Sequence, residues 1–409
     1  MGIGWPLGVG PNKGAHRAST KTLMHPSVGA PQGSDSGGPF QSPRCVAPDI
    51  IAGIEKGSSS AGAPPRGAPV GRASCRAGPG RDEKEHLLTV IAGIDEAGLG
   101  PVLGPLVVSA TAFEVPDELA GESMWRLLSG AVGKTPSRRR LSVAIGDSKR
   151  LYSRQRGNAL EHLERGVLAM LAAMGSRPAS LRQLMSWHAS GSLKEMPHYP
   201  WYARDDLPLP HCISRTDVDL SANALSSALS RSGVRPLCMR AEVVLPGEFN
   251  RIVEATDNKS TMLFGVTSRL LVDLWRKVPG RRVRVYVDRQ GGRMRYLQAL
   301  QLVFEGCKFR VLEESDTFSS YQIQDADRWA ELSFLVDAED RQLPVALASM
   351  LSKYLRELLM DLFNRFWLLH VPQVRPTAGY YEDGRRFYEE IRPAMRNLGL
   401  DERLVYRMR

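Results

Sequence analysis

Cysteine is scarce and unpatterned in this chain. Its five residues, Cys45, Cys75, Cys212, Cys238 and Cys307, are scattered over 409 positions, and none forms a C-x-x-C pair. That excludes the usual zinc and dithiol redox motifs and fits reduced thiols in a cytoplasmic protein better than a disulfide framework. The eight histidines are dispersed too. His198 and His211 bracket HYPWYARDDLPLPH without an H-x-x-x-H partner. No secretory segment follows Met1, and the apolar stretch LLMDLFNRFWLLHV is broken by Asp361 and Arg365; a buried amphipathic helix is expected there, not a membrane span. No internal repeat is visible, and no nucleophilic Ser, Cys or His set stands out.

What is present is length, an ordinary apolar share and a basic balance. A chain of 409 residues leaves room for two or three domains. Its 43% hydrophobic content suits a globular core. A net charge of +10 favours an anionic partner such as nucleic acid, although a solvated basic surface gives the same number. Residues 1–85 are dense in Gly, Pro, Ala and Ser with spaced basic residues. They read as a disordered basic arm, or as a stretch ahead of the true translation start, because such a composition cannot bury enough surface to offset chain ordering. Residues 86–400 read as the catalytic domain, interrupted by an irregular insertion at 176–235 and followed by a tail at 401–409.

The clearest local pattern is VIAGIDEAGLGPVLGPLVVSATAF, starting at Val90. LLTVIAGID and LVVSATAFEV predict two strands, and the glycines and prolines between them predict a hairpin-like connection. SRQRGNALEHLERGVLAMLAAM and LPVALASMLSKYLRELLMDLFNRFW repeat apolar residues at helical spacing. EFNRIVEATDNKSTMLFGVTSRLLVDLWRKV reads as one long helix, and DLSANALSSALSRS as another capped by Asp219. MRAEVVLP, RRVRVYVDRQGG and FEGCKFRVLEES read as strands, and RWAELSFLVDAED ends in one. Strands alternating with helices predict an α/β architecture.

Asp95 and Glu96 adjoin inside this apolar setting with no local basic partner, which costs free energy through desolvation and mutual repulsion. Asp288 ends a second strand, and Asp340 precedes the long helix at 343–367. Side chains at strand ends can converge on one edge of an α/β sheet. Hard oxygen ligands select Mg²⁺ or Mn²⁺, and four carboxylates fit a pair of ions that, about 3.5–4 Å apart, clamp a phosphodiester in line. Each acid also has a plainer reading: a solvated strand end for Asp95 and Glu96, pairing with Arg289 for Asp288, and a helix start favoured by the dipole for Asp340. Lys353 and Arg356 fit phosphate contacts or pairing with Glu357 and Asp361. Arg138, Arg139 and Arg140 fit a phosphate patch or an exposed charge run. Trp187 and Trp201 fit base stacking or the packing of an inserted subdomain.

AGIDEAGLGPVLGPLVV, then GDSK at residues 146–149, VYVD ending at Asp288, DRQLPVALASMLSKYLRE at 340–357 and the Gly379-Tyr380 pair together resemble, in order, the motifs of the ribonuclease HII family. The resemblance implies a ribonuclease H-like fold, with a central mixed sheet flanked by helices. It also implies a Mg²⁺- or Mn²⁺-dependent endoribonuclease acting on RNA–DNA hybrid or ribonucleotide-containing duplexes, as a monomer away from membranes. Carried over, Asp95, Glu96, Asp288 and Asp340 are the metal-binding carboxylates. Gly98, Leu99 and Gly100 lie at the ribose, Ser148 and Lys149 near phosphates, and Tyr380 on a neighbouring sugar. Leu99 stands where the family has arginine, and leucine cannot hold a phosphate through paired hydrogen bonds. The spacing into the long helix leaves Glu339 as an alternative to Asp340. A nucleic-acid-binding module on the same fold, without turnover, is the alternative function.

Overall fold

In the computed structural model the described residues are 88–408, apart from 138–140, 153–158, 279–280 and 327. The arm read at 1–85, with Cys45 and Cys75, and the cluster of Arg138, Arg139 and Arg140 lie outside the described residues. Seven strands form the central sheet: β1 (Leu88–Ala97), β2 (Leu106–Pro116), β3 (Arg235–Val244), β4 (Arg282–Asp288), β5 (Lys308–Glu314), β6 (Phe318–Asp325) and β7 (Arg328–Leu335). Their order is β3-β2-β1-β4-β7-β6-β5. β2 runs antiparallel to both β1 and β3, whereas β4 runs parallel to both β1 and β7. The sheet is therefore mixed.

From Val90 to Ile94 β1 is apolar because both of its faces are covered, as expected for a strand buried between layers. Ile91 faces one hydrophobic core, with α1 (Glu161–Ala173), α2 (Arg215–Ser232) and α4 (Leu343–His370). Val90, Ala92 and Ile94 face a second core, with α3 (Lys259–Lys277). The fold is thus α/β, a central mixed sheet flanked by helices, as the sequence leads one to expect.

The start of α4 crosses β1 closely. A Cβ on Gly93 would run into the backbone of Pro344 and Val345. Thr111, which faces Gly93 across the ladder, donates its hydroxyl to the Pro344 carbonyl at 2.8 Å. Ser352 then donates to the Asp95 carbonyl at 3.1 Å and to Ser109 Oγ at 2.8 Å. These contacts fix α4 over the end of β1 where the acids lie.

Several elements differ from the sequence reading. The long helix expected around residues 248–278 is two, Pro246–Thr256 and α3, parted at Asp257 with φ of 48°. Asn258 caps α3 by accepting from the Ser260 and Thr261 amides. Ser214 rather than Asp219 caps α2, taking the Asp217 amide at 3.1 Å, while Asp219 sits inside the helix and pairs with Arg177. β6 carries the polar run SSYQIQ and was not expected. Trp201 is buried among Tyr199, Phe363 and Trp367, which is core packing; Trp187 is 42% exposed. Cys212, Cys238 and Cys307 take part in no disulfide among the described residues. No helix among the described residues is long and apolar enough to cross a membrane.

Candidate active site

β1 and β4 pair in parallel with Ile94 opposite Val287. The next residues, Asp95 and Asp288, therefore stand on neighbouring strands just past the end of the β1–β4 pairing, while β1 stays paired with β2 as far as Ala97. Asp288 also anchors the following turn: its Oδ1 accepts the Ala338 amide at 3.0 Å. Asp337, at φ of 53°, reverses the chain into the short turn Ala338–Asp340. That geometry carries Glu339 toward the strand ends. Ser349 on α4 donates to Glu339 Oε2 at 3.4 Å.

The electrostatics show which acids share the space. Asp95 is buried, and burial first, then the charges of Glu96, Asp288 and Glu339, hold its carboxyl well above the usual range; a Ser349 hydrogen bond works the other way. Burial, with Asp288 and Glu339, pushes Glu96 up to about 8 against the opposing charge of Lys149. Burial, with Glu339 and Asp337, raises Asp288 to about 6 against the Ala338 amide and Lys149. Glu339 thus bears on all three. Asp340 is engaged through its backbone, its carbonyl accepting Lys134 Nζ at 2.6 Å.

Lys149 is the basic residue at this edge, its Nζ 4.0 Å from Glu339 Oε1 with the side chain 83% exposed. Partial burial would lower its pKa, but Glu339, Asp95, Asp147 and Asp288 together hold it above the ordinary value. Its neighbour Ser148 is buried and bonds Ser349 Oγ at 3.0 Å, so it braces α4. Asp147 shapes this corner by accepting the Lys149 amide at 2.8 Å.

The glycine loop follows β1 directly. Gly98 takes φ of 95°, and a Cβ there would meet the Arg356 side chain at 2.5 Å and the Pro105 carbonyl at 2.7 Å, whereas Gly100 faces open space. Leu99 packs part-buried against the second core. The Gly379 carbonyl accepts the Val102 and Leu103 amides at 2.8 and 3.2 Å, which brings Tyr380, 54% exposed, beside the loop. The Arg356 guanidinium lies 6.0 Å from the Tyr380 ring centre. Lys353 and Arg356 engage Glu357 at 2.9 and 3.4 Å, while Asp361 pairs with Arg365 and His211.

Sequence reasoning missed one residue here. Arg407 is buried under the loop and donates Nη2 to the carbonyls of Gly98 at 2.6 Å, Leu99 at 3.1 Å and Pro101. In the sequence it is one of several basic residues in the C-terminal segment, and only its place in an apolar-basic alternation sets it apart.

Among the described residues, no group of three or more His, Cys, Asp or Glu side chains is arranged to hold a metal ion. No family model matches the chain, and no curated protein does. It is similar to several solved structures. One is the PCNA:RNase HII complex from Archaeoglobus fulgidus, at 16% identity over 78% of this chain and 94% of that one, with a TM-score of 0.35. A second is ribonuclease H2 from Pyrococcus horikoshii OT3, at 14% identity, 77% and 92% coverage and a TM-score of 0.38. A third is Bst-RNase HIII in complex with Mn²⁺, at 13% identity, 80% and 67% coverage and a TM-score of 0.36. These likenesses are distant, and the site stands on its own geometry.

Proposed function

We propose that this chain is a metal-dependent endoribonuclease with a ribonuclease H-like fold, hydrolysing the RNA strand or embedded ribonucleotides of RNA–DNA hybrid duplexes. The observation that carries the reading is the gathering of Asp95, Glu96, Asp288 and Glu339, acids from three separate segments, in which burial and the neighbouring charges raise the proton affinity of Asp95, Glu96 and Asp288. The ordered motifs support it, as does a sheet in which Asp95 and Asp288 lie just past the paired stretch of two neighbouring parallel strands. In this reading Glu339 takes the place of Asp340 as the fourth carboxylate.

An all-oxygen, strongly negative donor set suits a hard divalent cation. Bound Mg²⁺ or Mn²⁺ ions supply positive charge that polarises a phosphodiester and lowers the pKa of a water molecule. Asp95, Glu96, Asp288 and Glu339 would hold them. Lys149, exposed at the rim, meets a phosphate oxygen. The 98–100 backbone approaches the ribose, where a 2′-hydroxyl distinguishes RNA from DNA. Tyr380 stacks on the next sugar.

Purified chain incubated with hybrid duplexes and Mg²⁺ or Mn²⁺ tests this. The expected result is cleavage leaving a 3′-hydroxyl, abolished by Asp95→Asn or Asp288→Asn. Because Leu99 offers no guanidinium to a phosphate, a continuous RNA strand should be cut better than a single embedded ribonucleotide. Intact hybrid with either metal overturns the enzymatic reading; tight, salt-dependent binding without turnover would then identify a binding module.

A further inference from the structure

We propose that the C-terminal segment is a strap fixing the 98–101 loop beside the acidic cluster, with Arg407 as its positioning residue. This rests on the reading of that loop as substrate-facing and adds to it the part that holds the loop in shape.

The strap is anchored on both sides. Arg407 donates its backbone amide to the Val102 carbonyl at 2.8 Å, and Tyr406 forms an antiparallel bridge with Leu103. Asn250, buried on the helix Pro246–Thr256, grips the other side. Its Nδ2 donates to the Arg403 and Tyr406 carbonyls at 3.0 and 2.9 Å, and its Oδ1 accepts the Met408 amide at 2.7 Å. Every polar atom of the Asn250 amide is thus spent on the strap.

Arg407 is an expensive residue to place there. It is 1% exposed, its guanidinium lies 4.3 Å from the Phe249 ring centre, and its Nε and Nη1 have no hydrogen-bond partner. Among the described residues it forms no ion pair with a carboxylate. A buried, uncompensated charge costs more than an apolar residue of the same volume, so filling space does not account for it. What the guanidinium does is gather the carbonyls of Gly98, Leu99 and Pro101 onto one nitrogen.

In a trans peptide the carbonyl and the following amide point opposite ways. Drawing the Gly98 and Leu99 carbonyls inward therefore turns the Leu99 and Gly100 amides outward. The Pro101–Val102 peptide shows the same sense: its carbonyl meets Arg407, and its amide meets the Gly379 carbonyl next to Tyr380. Arg407 thus presents a row of amides on the face shared with Tyr380, immediately after Asp95 and Glu96.

The test compares Arg407→Gly, Arg407→Lys and Asn250→Ala with the full wild-type chain. Hydrogen exchange is read at the 102 and 103 amides, which the Gly379 carbonyl accepts, and kcat/KM is measured on a hybrid duplex with Mn²⁺. Exchange at those amides should rise by about tenfold in Arg407→Gly and Asn250→Ala, and kcat/KM should fall by about tenfold in a protein that still unfolds cooperatively. Guanidinium at about 20 mM should restore much of both losses in Arg407→Gly by occupying the vacated site, whereas sodium at equal ionic strength should not.

A folded Arg407→Gly with unchanged exchange, or with raised exchange and unchanged kcat/KM, overturns the proposal; so does equal rescue by sodium. Should Arg407→Gly fail to fold, Arg407→Lys decides, since an ammonium on a shorter side chain does not reach the three carbonyls and loop exchange must rise. A wild type that leaves every hybrid intact overturns the proposed function, and the exchange measurement still decides the role of Arg407.

Discussion

The helix α4 serves two groups of buried carboxylates, and they are treated in opposite ways. Glu357, about two turns beyond Ser349, receives Lys353 Nζ at 2.9 Å, Arg356 Nη1 at 3.4 Å and the Tyr152 hydroxyl at 2.7 Å. Burial alone would raise its pKa, yet these cationic partners hold it below the ordinary value. Glu164, on α1, is fully buried and accepts the His211, Cys212 and Ile213 amides and the Tyr354 hydroxyl. On the sheet face away from α4, Glu114 is likewise paired, between Arg235 and Arg281. At the other end of α4, Asp95, Glu96, Asp288 and Glu339 face one another with the exposed Lys149 at 4.0 Å from Glu339. The protein neutralises the first group itself. It gives the second group no such set of partners, and burial with mutual repulsion raises the proton affinity of Asp95, Glu96 and Asp288 instead, as a role in binding a cation would require.

Substitution separates the two groups most sharply. Asp95→Asn or Asp288→Asn should reduce hybrid cleavage by about a thousandfold or more, on the order of 4 kcal/mol of transition-state stabilisation. The metal-free variants should unfold no more easily than wild type, because each removes a repelled charge. Glu357→Gln should do the reverse, retaining the site while destabilising the fold by about 3 kcal/mol, since Lys353 and Arg356 lose their counter-charge. Denaturant titration beside single-turnover cleavage reads both. A large loss of stability in Asp95→Asn would break the contrast.

The same contrast is sharpened within one turn. Glu339→Gln should cost about a hundredfold in cleavage and Asp340→Asn about threefold or less, because only the Glu339 charge bears on Asp95, Glu96 and Asp288. Equal losses from the two would place the turn differently. A smaller effect is structural: Gly93→Ala should destabilise by about 1–3 kcal/mol, since its Cβ would meet the backbone at the start of α4.

These residues also show what the sequence makes legible. β1, β2 and α4 announce themselves through apolar runs and periodicity, and the paired acids at the end of β1 stand out because nothing nearby offsets them. The choice between Glu339 and Asp340 is open in the sequence because the phase of that turn is set by a hydrogen bond from the Ala338 amide to Asp288, fifty residues back. β6 escaped notice because its polar run faces a ladder of serines, Ser320 bonding Ser333 at 3.1 Å, instead of a water-facing alternation. The helix break at Asp257 rests on one left-handed residue in an otherwise helical pattern. Arg407 was invisible because its partners are backbone carbonyls at the other end of the chain, and carbonyls leave no trace in a sequence.

The gentlest probe is pH. Asp288 and Glu96 are raised to about 6 and about 8, from ordinary values of 3.8 and 4.5, with burial as the leading cause. Between the ordinary range and those values the folded, metal-free protein holds protons that the unfolded chain has released. Stability must then fall as pH rises through about 4 to 8 and level off above that window. Divalent cations compete with those protons, so the stabilisation by Mg²⁺ or Mn²⁺ should grow across the same window. Glu357, lowered instead, contributes stability that is lost only as pH falls below the ordinary carboxylate range. Thermal unfolding from pH 5 to 8.5, with chelator and with Mn²⁺, should therefore give two curves that diverge by a few degrees toward alkaline pH. Asp95→Asn should bring them together. Parallel curves in the wild type would mean that the four acids do not share one field, and the comparison between the two groups of carboxylates along α4 would lose its basis.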